Sequence, residues 1–150
     1  MPGTYQYRSE SIVWETPADL YAEACKKYNV NPKLDVCAEP LTAKCKKFFT
    51  EEDDALDQQW SDDFFMNPPY GVGGVPPEKT WVAKAYTEHK KHNVTGMALT
   101  FSKTDTQWWH EYVEDIAEVH FQKGRISFYK NGEKSSPAPR PSAWIIWRAE

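Results

Sequence analysis

The stretch FFMNPPYG, residues 64–71, carries three apolar side chains straight into a carboxamide, two prolines, an aromatic ring and a glycine. An unbroken apolar run such as Phe64-Phe65-Met66 suits a strand covered on both faces, as inside a parallel sheet. The two prolines stop it sharply, because each lacks the N–H that a sheet ladder needs and has a fixed φ. The result is a stiff corner that turns polar where the strand ends. An ordinary turn would account for this much. What separates a turn from a site is whether other polar or stiff loops gather at the same edge.

Upstream, TPADLYAEACKKY (16–28) predicts a helix with Thr16 as its cap, Pro17 at the first helical position, and Leu20, Ala24 and Tyr28 on one face. KLDVCA (33–38) predicts a short strand, PLTAKCKKFF (40–49) a second, short helix, and EEDDALDQQWSDD (51–63) an acidic connector anchored by Leu56 and Trp60. Downstream, EKTWVAKAYTEHKKH (78–92) predicts a helix with Trp81, Ala85 and Tyr86 turned inwards. VTGMALTF (94–101) predicts a strand, and TDTQWWHEYVEDIAE (104–118) a helix capped by Thr104 or Asp105. VHFQ (119–122), RISFY (125–129) and SAWIIW (142–147) read as three further strands, joined by a tight turn at Lys123-Gly124 and a mobile Ser/Pro-rich loop at 130–141.

Strands alternating with helices, followed by antiparallel strands, predict an α/β fold. The expectation is a compact Rossmann-like domain whose sheet is mostly parallel, with antiparallel C-terminal edge strands. In such sheets ligands bind beyond the carboxyl ends of the strands. The strands ending near Asp35, Met66 and Phe101 all run into polar or stiff loops there.

Composition narrows the function. With 150 residues and 40% apolar content, the chain suits one domain, and its first ten residues read as loosely ordered. A net charge of -4 argues against a histone-like, charge-driven DNA binder without excluding DNA as a substrate. The absence of a long apolar run and of signal-peptide features predicts a cytoplasmic protein with no membrane partner. Cys25, Cys37 and Cys45 are odd in number and lack C-x-x-C spacing, so they read as reduced, partly buried thiols. His89 and His92 read as a solvated helix face, and no metal site is expected. Seven Trp, eight Tyr and seven Phe supply a core and would also suit the handling of flat ligands.

Flat ligands give the Asn-Pro-Pro-Tyr corner its chemistry. The lone pair of an amine on adenine or cytosine is delocalised into the ring, so the amine is a poor nucleophile. Two acceptors gripping its two hydrogens can turn that lone pair towards an electrophile. The Asn67 side-chain carbonyl and the Pro68 backbone carbonyl can act as that pair, held by Pro68 and Pro69. Tyr70 offers a ring for stacking, worth ~1–3 kcal/mol per base.

NPPY after an apolar strand resembles the catalytic motif of amino-methyltransferases that use S-adenosylmethionine. WETPADLY, LDVCAEPLTAKCKKFFT, LDQQW, FFMNPPYG, TDTQWWH, GRISFY and PSAWIIW follow in the order of one narrower family. Over residues 12–147 the chain resembles the phage-type, Dam-like DNA N6-adenine methyltransferases. The resemblance implies a single catalytic domain over 1–150, without a separate target-recognition domain. It also implies a phage- or prophage-encoded enzyme in a bacterial host cell, S-adenosylmethionine as cofactor and double-stranded DNA as partner. The active species would be a monomer or homodimer.

By the same resemblance Asn67, Pro68, Pro69 and Tyr70 form the catalytic loop. Thr16 and Pro17 precede the cofactor site, and Asp35 opens it. One departure stands out: no glycine follows the first strand, where Ala38 takes the place of the usual Gly-rich turn, and Glu39 and Asp57 become candidates for ribose or adenine contacts. Lys103, Thr104 and Trp108 are candidates for holding the target strand. Trp108 and Trp109 are adjacent on a predicted helix, so at most one is expected to face the core. Lys123, Arg125 and Lys130 would meet phosphates or bases. Three alternatives stay open: a protein-glutamine acceptor, a cytosine-N4 acceptor, or a catalytically inactive nucleic-acid-binding relative.

Overall fold

The computed structural model describes residues 14–69 and 76–150. The loose order expected of residues 1–10, and the Tyr70 and Gly71 end of the corner, lie outside them. Eight strands and three α-helices are described: α1 Ala18–Tyr28, β1 Leu34–Asp35, β2 Lys47–Phe48, β3 Phe64–Met66, α2 Glu78–His92, β4 Gly96–Phe101, α3 Gln107–Tyr112, β5 Glu118–Phe121, β6 Tyr129–Lys130, β7 Glu133–Lys134 and β8 Ser142–Trp147.

Six strands form one sheet in the order β2-β1-β3-β4-β8-β5. The first four are mutually parallel, while β8 runs antiparallel to both β4 and β5. This is the predicted α/β sheet with an antiparallel C-terminal edge. From β1 the chain moves outward to β2 on one side and then to β3 on the other, so the strand order reverses between β1 and β3. Alternate residues point to opposite faces. Phe64, Met66 and Ala98 pack with Trp81, Val82, Trp108 and Trp109 of α2 and α3. Phe65, Met97, Leu99 and Trp144 pack with Ala24 of α1 on the other face. Burial on both faces explains the unbroken apolar run at 64–66.

Several local expectations are corrected. Thr16 does not cap α1: Pro17 occupies the cap position with extended ψ and no side-chain bond. Residues 40–49 are not a helix. The amides of Cys37 and Lys44 donate to the Asp35 carboxylate, at 3.3 and 2.9 Å, and wrap the chain around it. The chain then returns as β2, with Phe49 N–H donating to Asp35 O and Ala38 N–H to Phe49 O. Long-range bonds thus override local helix propensity.

The acidic connector holds two short 3-10 turns, Glu51–Asp53 and Ala55–Asp57. Trp60 is fully buried and anchors it as expected, its backbone N–H donating to Glu88 at 2.7 Å. Helix α3 is shorter than predicted and is capped by Thr106, whose hydroxyl accepts from Trp109 N–H. The chain turns left-handed at Asp115, with φ 62°, before entering β5.

Of the expected strand at 125–129, only Tyr129 joins a strand, pairing with β7 across Asn131 and Gly132. Both turn residues have positive φ, as a tight two-residue hairpin requires. His89 is not a solvated helix residue either: it is buried, with Nδ1 2.7 Å from the Val94 carbonyl. All three cysteines are free thiols and half-buried. Among the described residues no helix is long and apolar enough to cross a membrane.

Candidate active site

The strand-order reversal places the carboxyl ends of β1 and β3 side by side, with Asp35 aligned with Phe65. Asn67 follows one residue beyond β3. At such a switch point an open α/β sheet leaves a crevice for ligands. Here the crevice is lined by Trp14, Glu15, Thr16, Asp35, Thr42, Lys44 and Asn67, among others.

Asn67 is buried, and its amide is oriented by its neighbours. Nδ2 donates to the Trp14 backbone carbonyl at 2.7 Å and to the Thr16 hydroxyl at 3.0 Å. The Trp14 carbonyl can only accept, so the nitrogen side of the amide must face it. Oδ1 is then left buried, with no hydrogen-bond partner among the described residues. An unsatisfied buried acceptor costs about 1–3 kcal/mol and calls for an explanation. It can accept a hydrogen from a ligand N–H. Pro68 and Pro69, also buried, carry the chain stiffly away from it.

Asp35 is the second polar group at the edge. Burial pushes its carboxyl up to about 6, although bonds from the Lys44 and Cys37 amides and the Lys44 charge act the other way. The Cys37 thiol is pushed well above its usual range by burial and by Asp35. Lys44 Nζ spans the crevice to Glu15 at 3.5 Å and also donates to Thr42 O at 3.3 Å. The remaining space is about 20 Å³, roughly enough for one water molecule. A carboxylate and an unpaired acceptor suit a cationic, donor-bearing ligand. A ligand of nucleoside size is larger than this space as it stands, so its entry needs the lining to move.

The other predicted residues divide. Thr16 belongs to the crevice through its bond to Asn67, whereas Pro17 lines a separate groove with Asp19, Leu20 and Glu23 of α1. Ala38 is buried beside β2, and Glu39 and Asp57 are exposed; none of the three lines the crevice. Lys103 is paired with Glu78 at 3.0 Å, and Thr104 is exposed on the loop after β4. Trp108 and Trp109 are both buried, at 7% and 5% exposure, so Trp108 presents little surface to a duplex. The expectation that at most one faces the core is corrected, because both rings join the same core cluster as Trp81, Val82 and Trp147. Lys123 is exposed. Lys130 sits over the Trp14 ring, 5.3 Å from its centroid. Arg125 donates to Pro139 O at 2.7 Å.

Sequence reasoning missed Trp14, Glu15, Thr42 and Lys44. Their signal was position alone: Trp14 and Glu15 stand directly before Thr16, and Lys44 lies within the segment that follows Asp35.

A mostly parallel sheet with antiparallel edge strands, carrying a buried carboxamide and a carboxylate at its switch point, is compatible with the Rossmann-like methyltransferase fold. Comparison with known proteins narrows the class. Residues 4–150 match the family described as DNA N-6-adenine-methyltransferase (Dam). The DNA N-6-adenine-methyltransferase of Haemophilus phage HP1 (strain HP1c1) is 28% identical over 144 residues, covering 93% of this chain and 80% of that protein. That of Escherichia phage T1 is 27% identical over 109 residues, covering 71% of this chain and 43% of that protein. The chain belongs to the DNA N-6-adenine-methyltransferase (Dam) family, transferases that methylate the N6 amine of adenine in DNA.

Proposed function

We propose that Asn67 is the group that grips the adenine amine, and that the crevice between β1 and β3 holds S-adenosylmethionine. The observation carrying this reading is the tethered Asn67 amide, whose buried oxygen has no partner among the described residues while its nitrogen is held twice. An acceptor aimed in advance at a developing charge distribution costs no reorganisation when the reaction occurs.

In this reading Asn67 Oδ1 accepts one amine hydrogen and the Pro68 carbonyl the other, which turns the nitrogen lone pair out of conjugation. S-adenosylmethionine, when bound, supplies an electrophilic methyl group. Asp35 and Glu15 favour its positive charge, and Thr16 keeps the Asn67 amide in orientation. The proton lost from the alkylated nitrogen leaves to water, so no side chain is needed as a base. Tyr70 stacks on the base. The base must first leave the duplex, at a cost of a few kcal/mol that stacking partly offsets.

Double-stranded DNA bearing an adenine site is the substrate, and the chain acts as a single catalytic domain, as monomer or homodimer, inside a host cell. Lys123 and Lys130 are the cations we assign to the phosphates. The test is methyl transfer from labelled S-adenosylmethionine to unmethylated DNA, with the digested nucleosides identified by mass. Label in N6-methyladenine is expected. Label in N4-methylcytosine, or in glutamine of a protein acceptor, would overturn the assignment of the amine.

A further inference from the structure

Beside the crevice, on the far side of Trp14, lies a second and larger cavity of about 630 Å³. Its size falls within the range of small-ligand pockets, about 300–1,000 Å³. Trp14, Phe101, Phe128 and the segment Ser135–Pro139 line it, and its walls are mainly apolar. Of the seven tryptophans six are buried in the core, while Trp14 is half-buried and lines this space. A bridge between Glu15 and Tyr129, with amides bonded at 2.7 and 2.9 Å, sets Trp14 and Phe128 at the cavity.

The outer wall is the 135–139 segment, expected from its Ser/Pro content to be mobile. It is instead fastened at three points. Ser135 N–H donates to Phe128 O and Ala138 N–H to Ile126 O, both at 2.8 Å. Arg125 Nη1 donates to Pro139 O at 2.7 Å and more weakly to Ala138 O at 3.4 Å. Pro137 and Pro139 cannot donate, so the segment has few bonds of its own. The guanidinium at its far end is therefore well placed to decide where the wall stands, since its Nη1 is engaged with two backbone carbonyls of the segment.

We propose that Arg125 is a positioning residue: it pins the 135–139 strap so that strap, Trp14 and Phe128 form a slot for the extrahelical adenine. The ring would lie in the apolar slot with its amine reaching towards Asn67 in the neighbouring crevice, Trp14 being the residue that lines both cavities. This inference rests on the reading of Asn67 as the amine acceptor.

The test uses the full chain and a duplex with 2-aminopurine at the target position, mapped first from DNA that the parent enzyme has methylated. 2-Aminopurine brightens when it leaves the stack, and duplex binding is followed separately by anisotropy. Arg125→Ala is expected to bind the duplex at parental affinity yet lose most of the fluorescence rise and raise KM for DNA. Arg125→Lys, which can still donate to Pro139 O, should recover part of the rise. Ala138→Leu fills the slot away from Asn67, leaves in place the backbone carbonyl that Arg125 reaches at 3.4 Å, and should also lose the rise. A parental fluorescence rise in Arg125→Ala would overturn the proposal. So would loss of duplex binding with a shallower salt dependence, since Arg125 would then be a phosphate contact. A parent enzyme that transfers no methyl group to DNA would refute the underlying reading of Asn67, and the slot assignment with it.

Discussion

The side chain of Asn67 is held by the backbone of Trp14, fifty-three positions earlier in the chain, through a bond of 2.7 Å. Because a carbonyl can only accept, this contact fixes which end of the amide is oxygen. Asn67→Ala should leave the sheet intact, with a stability change of about 1 kcal/mol. Methyl transfer should fall by about 10²–10³-fold or more, the range for removing one preorganised contact to a transition state. Parental turnover in the alanine variant, measured with labelled cofactor, would remove Asn67 from the mechanism.

Asn67→Asp discriminates between orientation and shape. The carboxylate fits the same space but cannot donate to the Trp14 carbonyl or serve as donor to the Thr16 hydroxyl. A buried anion would then face a carbonyl, so this variant should be inactive and less stable than Asn67→Ala, despite being closer in volume. Urea denaturation of the two variants side by side checks the order. An aspartate variant as stable as the parent would mean that the Trp14 contact does not form.

Thr16→Val separates the two roles considered for that residue. Thr16 is 2% exposed and accepts from Asn67 instead of capping α1. The valine variant should keep full helicity by circular dichroism and lose activity by about tenfold at most, because the Trp14 tether remains and one hydrogen bond is worth about 0.5–1.5 kcal/mol net. Loss of helix content with activity unchanged would restore the capping role.

The parts of this fold readable in the chain were those governed by local periodicity. Helix α2 begins and ends as its Pro77 and Asn93 flanks dictate, and Phe64–Met66 could only be a covered strand. Residues 40–49 were misread because what shapes them is not local: the buried Asp35 carboxylate gathers the amides of Cys37 and Lys44 and turns the segment into an edge strand. The strap at 135–139 was misread for the same reason, its order coming from Arg125 and from the backbone carbonyls of Ile126 and Phe128. Asn67 and Asp35 were legible as site residues because strand ends in parallel sheets converge. Trp14 was not, since it contributes a backbone carbonyl, and a carbonyl has no residue type to recognise.

Gly96 tests the packing under the site. A Cβ at this position would stand 2.2 Å from the Phe64 ring, which fills the space above the strand. Gly96→Ala should destabilise by about 1–3 kcal/mol, the usual cost of overpacking a core. Adding Phe64→Leu should relieve part of that cost, giving a non-additive double-mutant cycle for residues in contact. Additive effects in urea denaturation would show that the ring moves aside freely.

Asp35 should make cofactor binding depend on pH in a direction opposite to its effect on stability. Its carboxyl titrates near 6 in the folded protein, against an ordinary 3.8, because burial penalises the anion. Between those values the native state holds a proton that the unfolded chain has lost. This contribution to stability is therefore complete below about 3.8 and is lost as pH rises through about 6. A cationic ligand beside Asp35 prefers the anion, so S-adenosylmethionine should bind more tightly as pH rises through the same range. As pH falls below about 6, affinity should drop by up to about tenfold per pH unit. Calorimetry in buffers of different ionisation enthalpy should detect proton release on binding near pH 6 and none near pH 8, about two units above the carboxyl's titration. Asp35→Asn should bind weakly and show no such release. If the parent's affinity is flat across this range, the cofactor's charge does not sit against Asp35, and the Glu15–Lys44 side of the crevice becomes the place to look for it.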